Sequence, residues 1–460
     1  MRKTSSSMDT KEIALTIYND GFGAIKEIRE IEFDGNETEL IYSDVAQKIE
    51  TESLIVQGLN ILEFNYDFDL VSGEKLLEKY LDKEVFLKNQ KTGEEKSCRL
   101  LSIEGVALGV LAPQGCVFED NKSKQIYISP KETNIILPSL PSGLIIKPAL
   151  VWKLNKADKT QAKEIKVSYL SKGFKWKANY VIELENETLD INGWAEIENE
   201  CGTSFENVKI KLIAGDINRN SPDDFSLDEC LELPNPNIVY STTYVPSVEE
   251  KVFFDYHMYT LNYLTTLKNK QTKQINILNG SKIPYKQYYD INSREEKVNI
   301  IIEFENKKNN GLGIAIPKGI VKLYKTDEDD NSLEFIGEDS INHTPKNETI
   351  KLLIGQAFDI KVNHIQAGQK TIDDYVYYKE EYIIKNHKDT DAEIHLVEYT
   401  RGRNSLFELL RGIRSTSIEM VESSHEYEQL AYKINYNIIV PANDEVKIEF
   451  EYRIHDPIQR

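Results

Sequence analysis

Residues 167–219 read VSYLSKGFKWKANYVIELENETLDINGWAEIENECGTSFENVKIKLIAGDINR, and this stretch decides the fold class. Ile165, Val167 and Tyr169, then Val208, Ile210 and Leu212, recur at every second position, the spacing of strands whose successive side chains turn to opposite faces. Asn192-Gly193 and Cys201-Gly202 punctuate the run; such pairs accept positive φ and predict tight reversals between strands. Phe174, Trp176 and Ala178 share one strand face and Lys175, Lys177 and Asn179 the other, so Trp176 is expected in a core. Trp194 is expected as a second core anchor. It shares a face with Glu196 and Glu198, so its burial requires a bulge near Gly193 that turns it inward.

Working outward, one local design recurs: an alternating strand ending in Glu-Asn or Lys-Asn, a polar turn, and a second alternating strand. It is written as WAEIEN (194–199) before NVKIKLIA (207–214), as IIIEFEN (300–306) before GIVKLYK (319–325), and as EEYIIKN (380–386) before AEIHLVEY (392–399). Asn199, Asn306 and Asn386 stand at the same place in each. Each unit reads as a hairpin with one apolar face, which becomes stable only by packing on another sheet. Near the end, Val446, Ile448, Phe450, Tyr452 and Ile454 alternate with charged residues, one face dry and one wet. The expected fold is all-β, with two antiparallel immunoglobulin-like β-sandwiches over residues 151–305 and 306–460. A smaller β-rich domain, residues 11–150, precedes them, after a flexible N-terminus at residues 1–10. That domain carries one short helix, capped by Ser72, with Glu74 in its first turn and Leu76, Leu77, Tyr80 and Leu81 on one face. Residues 220–250, rich in Pro, Ser and acidic residues, form a loop long enough to be functional or mobile.

A chain of 460 residues holds two or three cores, and 56 Lys plus Arg against 76 Asp plus Glu leave a net charge of -20. That excess repels nucleic acid and anionic membranes at long range, so no nucleic-acid partner is expected. The four cysteines show no paired metal spacing, which points to a reducing compartment without structural zinc. The first twenty residues lack the apolar core of an export signal. The apolar stretch 135–152 is broken by Pro138, Pro141, Lys147 and Pro148, so no transmembrane segment and a cytoplasmic location are expected.

Seven histidines occur without a close metal-binding pair, and neither a metal nor an organic cofactor is expected. In FDYHMYTL (254–261), Asp255, His257 and Tyr259 fall on one strand face, placing an imidazole beside a carboxylate and a phenol; the plainer reading is a histidine held by a neighbour. In AGDINR (214–219), Asp216 paired with Arg219 would hold a strand exit, with Asn218 in an unusual turn conformation. The alternative is a rim on which Arg219 grips an anionic group. The acidic run TDEDDNS (326–332) lacks the order of a calcium loop and reads as a solvated hairpin tip. No nucleophile elbow or phosphate-cradling loop is written anywhere.

Longer blocks carry a resemblance: SYLSKGFKWKANY (168–180), NGWAEIENECGTSFENVKIKLIAGDINR (192–219), FDYHMYTLNYLTTLKNKQTKQINIL (254–278), FIGEDSINHTPKNETIKLLIGQAFDI (335–360) and EYIIKNHKDTDAEIHLVEY (381–399). Across roughly the last 300 residues the chain resembles the domain-of-unknown-function family that includes the mucoidy-inhibitor proteins. The segments at 65–85 and 137–154 are similar to its shorter members. Many longer relatives carry a secretion signal and a coiled-coil insert, and neither is written here. The resemblance implies an all-β protein of unestablished activity, linked by the family's name to exopolysaccharide. The leading expectation is therefore a non-enzymatic binding or scaffold protein with a protein or glycan partner. The alternatives are a hydrolase acting on polysaccharide or peptide, suggested by His257, and a self-assembling protein whose β edges pair into a homo-oligomer.

Overall fold

The computed structural model describes residues 1–68, 73–103, 115–128, 130, 132–139, 141, 147–155, 163–215, 217–219, 248–293, 297–327, 329–399, 418–430 and 433–455. They form an all-β protein of several sheets, none of them closed. The one α-helix among the described residues, Gly73–Lys79, lies where the sequence predicts it and leads into the buried Tyr80; its expected cap, Ser72, is outside the described residues. Among the described residues no helix is long and apolar enough to cross a membrane.

The quoted stretch builds both walls of the first core. Lys163–Lys172 and Phe205–Ala214 belong to an eight-stranded sheet, whereas Phe174–Leu184 and Thr188–Asn199 belong to a ten-stranded one. Leu15, Ile17, Ile25 and Leu212 from the first sheet meet Phe174, Trp176, Tyr180 and Ile197 from the second in one apolar cluster. Trp176 is buried as expected, its indole N–H donating to the Ile213 carbonyl at 3.1 Å. The sheets approach so closely that a Cβ on Gly23 would stand 2.8 Å from the Phe174 ring.

Trp194 differs from expectation: it remains half-buried on the outer face, while Ala195 and Ile197 turn inward. The register does shift between Gly193 and Trp194 against Gln271–Asn292, but the alternation of faces survives it. Asn192-Gly193 is likewise no turn. It lies inside Thr188–Asn199, and the reversal falls at residues 185–187, closed by the Glu185 N–H on the Thr188 carbonyl at 2.8 Å. Glycine is needed at 193 for space: a Cβ would come within 2.9 Å of both Leu278 and Tyr180.

Pairing crosses both expected domain boundaries. Thr10–Tyr18 runs parallel to Phe205–Ala214, and Phe22–Ile31 pairs with Lys163–Lys172. The chain before residue 68 therefore shares a sheet and a core with the chain after 163; between them, strands from Glu84–Asn89 to Thr133–Ile136 build a separate small five-stranded sheet around Tyr80, Val85, Leu100 and Phe118, and Ala149–Leu154 returns to the first core beside Glu39–Ser43. Gly319–Thr326 lies parallel to Phe174–Leu184 and adds Val321 and Leu323 to the first core. Gln271–Asn292 is shared outright, giving Ile275, Ile277 and Ile283 to the first core and Tyr289 and Ile291 to the second. Even the first residues are ordered: Arg2–Ser5 forms an edge strand beside Glu39–Ser43. Parallel partners cannot be joined by a local turn, which is why these seams leave no local trace in the sequence.

The second core is closed by Tyr375–Asn386 and Glu445–His455 on one side and Ala392–Tyr399 and Lys433–Val440 on the other. Along the last strand Ile448, Phe450, Tyr452 and Ile454 are buried, as the alternation predicts. Asn199, Asn306 and Asn386, each at most 1% exposed, explain the recurring design. Asn386 donates to the carbonyls of Thr390, Val440 and Pro441 and accepts from the Lys388 N–H. Asn199 donates to Thr203 and Leu267 and accepts from Cys201; Asn306 donates to Ile314 and Pro345 and accepts from Gly313. Each amide satisfies backbone groups of two turns that a buried strand end would otherwise strand without partners.

Candidate functional site

Because Leu15, Ile17, Ile25, Ile165, Val167, Ile210 and Leu212 face the first core, their neighbours face away from it. The outer face of the eight-stranded sheet is thus read directly from the alternate residues. Ala14 lies opposite both Lys209 and Lys26, Lys26 opposite Ser168, Ile28 opposite Lys166, and Lys211 opposite Thr16. Short side chains, Ala14, Thr16, Ala24 and Ser168, recur in the middle of the face, with Lys26 standing between Ala14 and Ser168. Long ones surround them, leaving a groove of about 550 Å³ floored by Ala14 and Ser168 and walled by Ile28, Ile55 and Leu264.

Four lysines stand on this face, with Lys26, Lys166 and Lys209 exposed and Lys211 half-buried. None of the ion pairs among the described residues engages any of the four, whereas Lys11 at the groove margin is paired with Glu164 at 2.5 Å. Burial and the neighbouring charges of Lys209, Lys26 and Lys251 push the Lys211 ammonium below its ordinary value, the mark of cations gathered without a counter-charge. Glu12 is exposed at one end of the groove, and Glu30, Glu164 and Glu249 stand on the same outer face, Glu164 two residues from Lys166 and Glu249 across Thr260 from Lys211.

Arg219 lies outside the groove lining. Its guanidinium donates to Glu50 at 2.6 Å and lies 4.0 Å above the Phe22 ring, which stacks on Tyr18 with centroids 4.4 Å apart. The Ile217 N–H donates to Asp20 at 3.3 Å, and Asn218 is exposed. Asp216 lies outside the described residues, as do residues 220–247 of the expected long loop. The anionic group that Arg219 grips is therefore Glu50, brought from a distant strand, and Arg219 acts as a strap over the sheet.

The second expected set does not assemble. Asp255 is exposed in the turn between Val248–Phe253 and Tyr256–Leu261, and Tyr259 is buried beside Trp176 with its hydroxyl donating to the Ala315 carbonyl at 2.8 Å. His257 Nδ1 lies 2.7 Å from Glu250, on the neighbouring strand. Both His257 and Tyr259 pair beside the inward-facing Ala214 and Leu212, so this pair and the lysine groove occupy opposite faces of one sheet.

Two buried polar networks escaped the sequence reading. In the first core Arg29 donates two bonds to Glu27, at 2.9 and 3.0 Å, and one to the Ser5 carbonyl; Tyr42 and Thr10 also donate to Glu27. In the second, His364 meets Glu380 at 3.0 Å and stacks on Tyr382, which donates to Glu398. Their carboxyls are at most 4% exposed, so these networks serve the cores. The signal for the first was present in FGAIKEIREI, where Glu27 and Arg29 interrupt the inward row of Ile25 and Ile31. Among the described residues no group of three or more His, Cys, Asp or Glu is placed to hold a metal ion. The chain matches no family model and no curated protein significantly.

Proposed function

We propose that this is a non-enzymatic binding protein that holds its partner against the outer face of the eight-stranded sheet. The observation that carries this reading is the groove itself: an open concavity over a floor of alanine and serine on a rigid sheet. The titratable networks, by contrast, are sealed in the cores. The resemblance to the mucoidy-inhibitor family favours a glycan of the cell surface over a protein as the partner, displayed to immunoglobulin-like sandwiches. Ala14→Trp would fill the floor from the solvent side, and its fold is checked by far-UV circular dichroism. On a glycan array the parent protein is expected to retain at least one glycan class that a correctly folded Ala14→Trp variant loses. Equal binding by the two, or no glycan retained by the parent, overturns the reading.

A further inference from the structure

Resting on that reading, we infer that the groove takes an acidic polysaccharide, whose carboxylates are neutralised by Lys26, Lys166 and Lys209 in its lining and by Lys211 beside it on the same face. The placement of the cations sets the ligand's form. Lys209 and Lys211 are two residues apart on one strand, about 7 Å, and Lys26 stands two strands across from Lys209, roughly 10 Å. Lys166 is diagonal to Lys26 across the next strand. The charges are thus spread across the strands and do not converge on a point, which suits an extended chain bearing separated anionic groups and not a single phosphate.

The lining then discriminates among extended polyanions. Among the described residues it contains no aromatic ring and no arginine; single-stranded nucleic acid is held by stacking on aromatic faces, and planar phosphate contacts favour arginine's fork. A peptide that binds by adding a strand needs a sheet edge, and acidic motifs are otherwise taken by arginine clusters, whereas this groove lies across the interior strands Thr10–Tyr18, Phe22–Ile31 and Lys163–Lys172 and is lined, among the described residues, without arginine. Lysine supplies compact charges for carboxylates, and Ser168, Gln57 and Asn207 supply hydroxyl and amide groups for sugar hydroxyls. The net charge of -20 opposes every polyanion at a distance, but beyond about 8 Å it is screened at physiological salt. At contact the local lysines decide.

Calorimetric titration at physiological salt would use polygalacturonate and its fully methyl-esterified form, which keeps the backbone and removes the charge. Single-stranded DNA and polyglutamate are the competing polyanions. The parent is expected to bind the acid form in preference to the other three, and the quadruple variant Lys26→Gln, Lys166→Gln, Lys209→Gln, Lys211→Gln to lose at least about tenfold in affinity. All four changes are on the solvent face, and circular dichroism verifies the fold. No binding of polygalacturonate, unchanged binding by the quadruple variant, or DNA or polyglutamate bound equally well overturns the inference. If acid and ester bind alike and both are lost only in Ala14→Trp, the groove stands and its acidic ligand falls; if Ala14→Trp changes nothing, the groove reading itself fails.

Discussion

In the first core Glu27 is met by the permanently charged Arg29 through two hydrogen bonds, with Tyr42 and Thr10 completing its shell. In the second core Glu380 and Glu398 are both buried, and their partners are a histidine and a tyrosine. Both arrangements satisfy hydrogen bonds, yet only the first balances charge. Burial, opposed by the Tyr382 hydrogen bond and reinforced by Glu380, raises Glu398 above its ordinary carboxyl range. At Glu398, burial and a second buried carboxyl thus favour the neutral form.

The largest test of that contrast is Arg29→Met, which would leave Glu27 buried without its cation. A loss of about 3–5 kcal/mol is expected in urea denaturation, most of it regained when Glu27→Met is added, since apolar residues of similar volume replace buried ion pairs well. A loss under about 1 kcal/mol would show that Tyr42 and Thr10 suffice for Glu27.

A smaller effect concerns what the cores share. Asn386→Ala removes the donor to Thr390, Val440 and Pro441 and the acceptor for Lys388, at a cost of about 1–3 kcal/mol. Asn199→Ala should cost a similar amount. If one substitution is silent in denaturation while the other is not, the recurring asparagine is a coincidence of sequence and not a common device.

The smallest expected effect is a pH dependence. A carboxyl whose folded value is raised stabilises the fold below its ordinary 4.5 and loses that contribution as pH rises through the folded value. Amide exchange along Tyr375–Asn386 should therefore quicken between that pH and neutrality more in the parent than in Glu398→Gln. Identical profiles would mean that Glu398 titrates as an exposed acid.

Much of this was legible beforehand. Period-two alternation named the strands and their buried faces, Trp176 and the last strand included, because burial of one face is a local property of a pleated chain. The hairpin tip at 326–332, the short helix and the matching positions of Asn199, Asn306 and Asn386 were legible for the same reason: caps and turns are made by neighbours in sequence. Trp194 and Asn192-Gly193 were misread because glycine marks either a turn or a close approach, and only the positions of Leu278 and Tyr180 distinguish the two.

The site lay beyond such reasoning. Each lysine of the groove looks like one solvated strand residue in its own segment, and Arg219 and His257 were weighed as separate candidates in 214–219 and 254–261. What the sequence determined alone was which side of each strand is wet and that a net charge of -20 surrounds it. What only the tertiary structure decided was strand order: the parallel seam between Thr10–Tyr18 and Phe205–Ala214 places Lys209 and Lys211 beside Lys26, while Glu50 draws Arg219 to the same face. Strand order is set by the packing of whole sheets across more than 150 residues of chain, and local alternation carries no record of it.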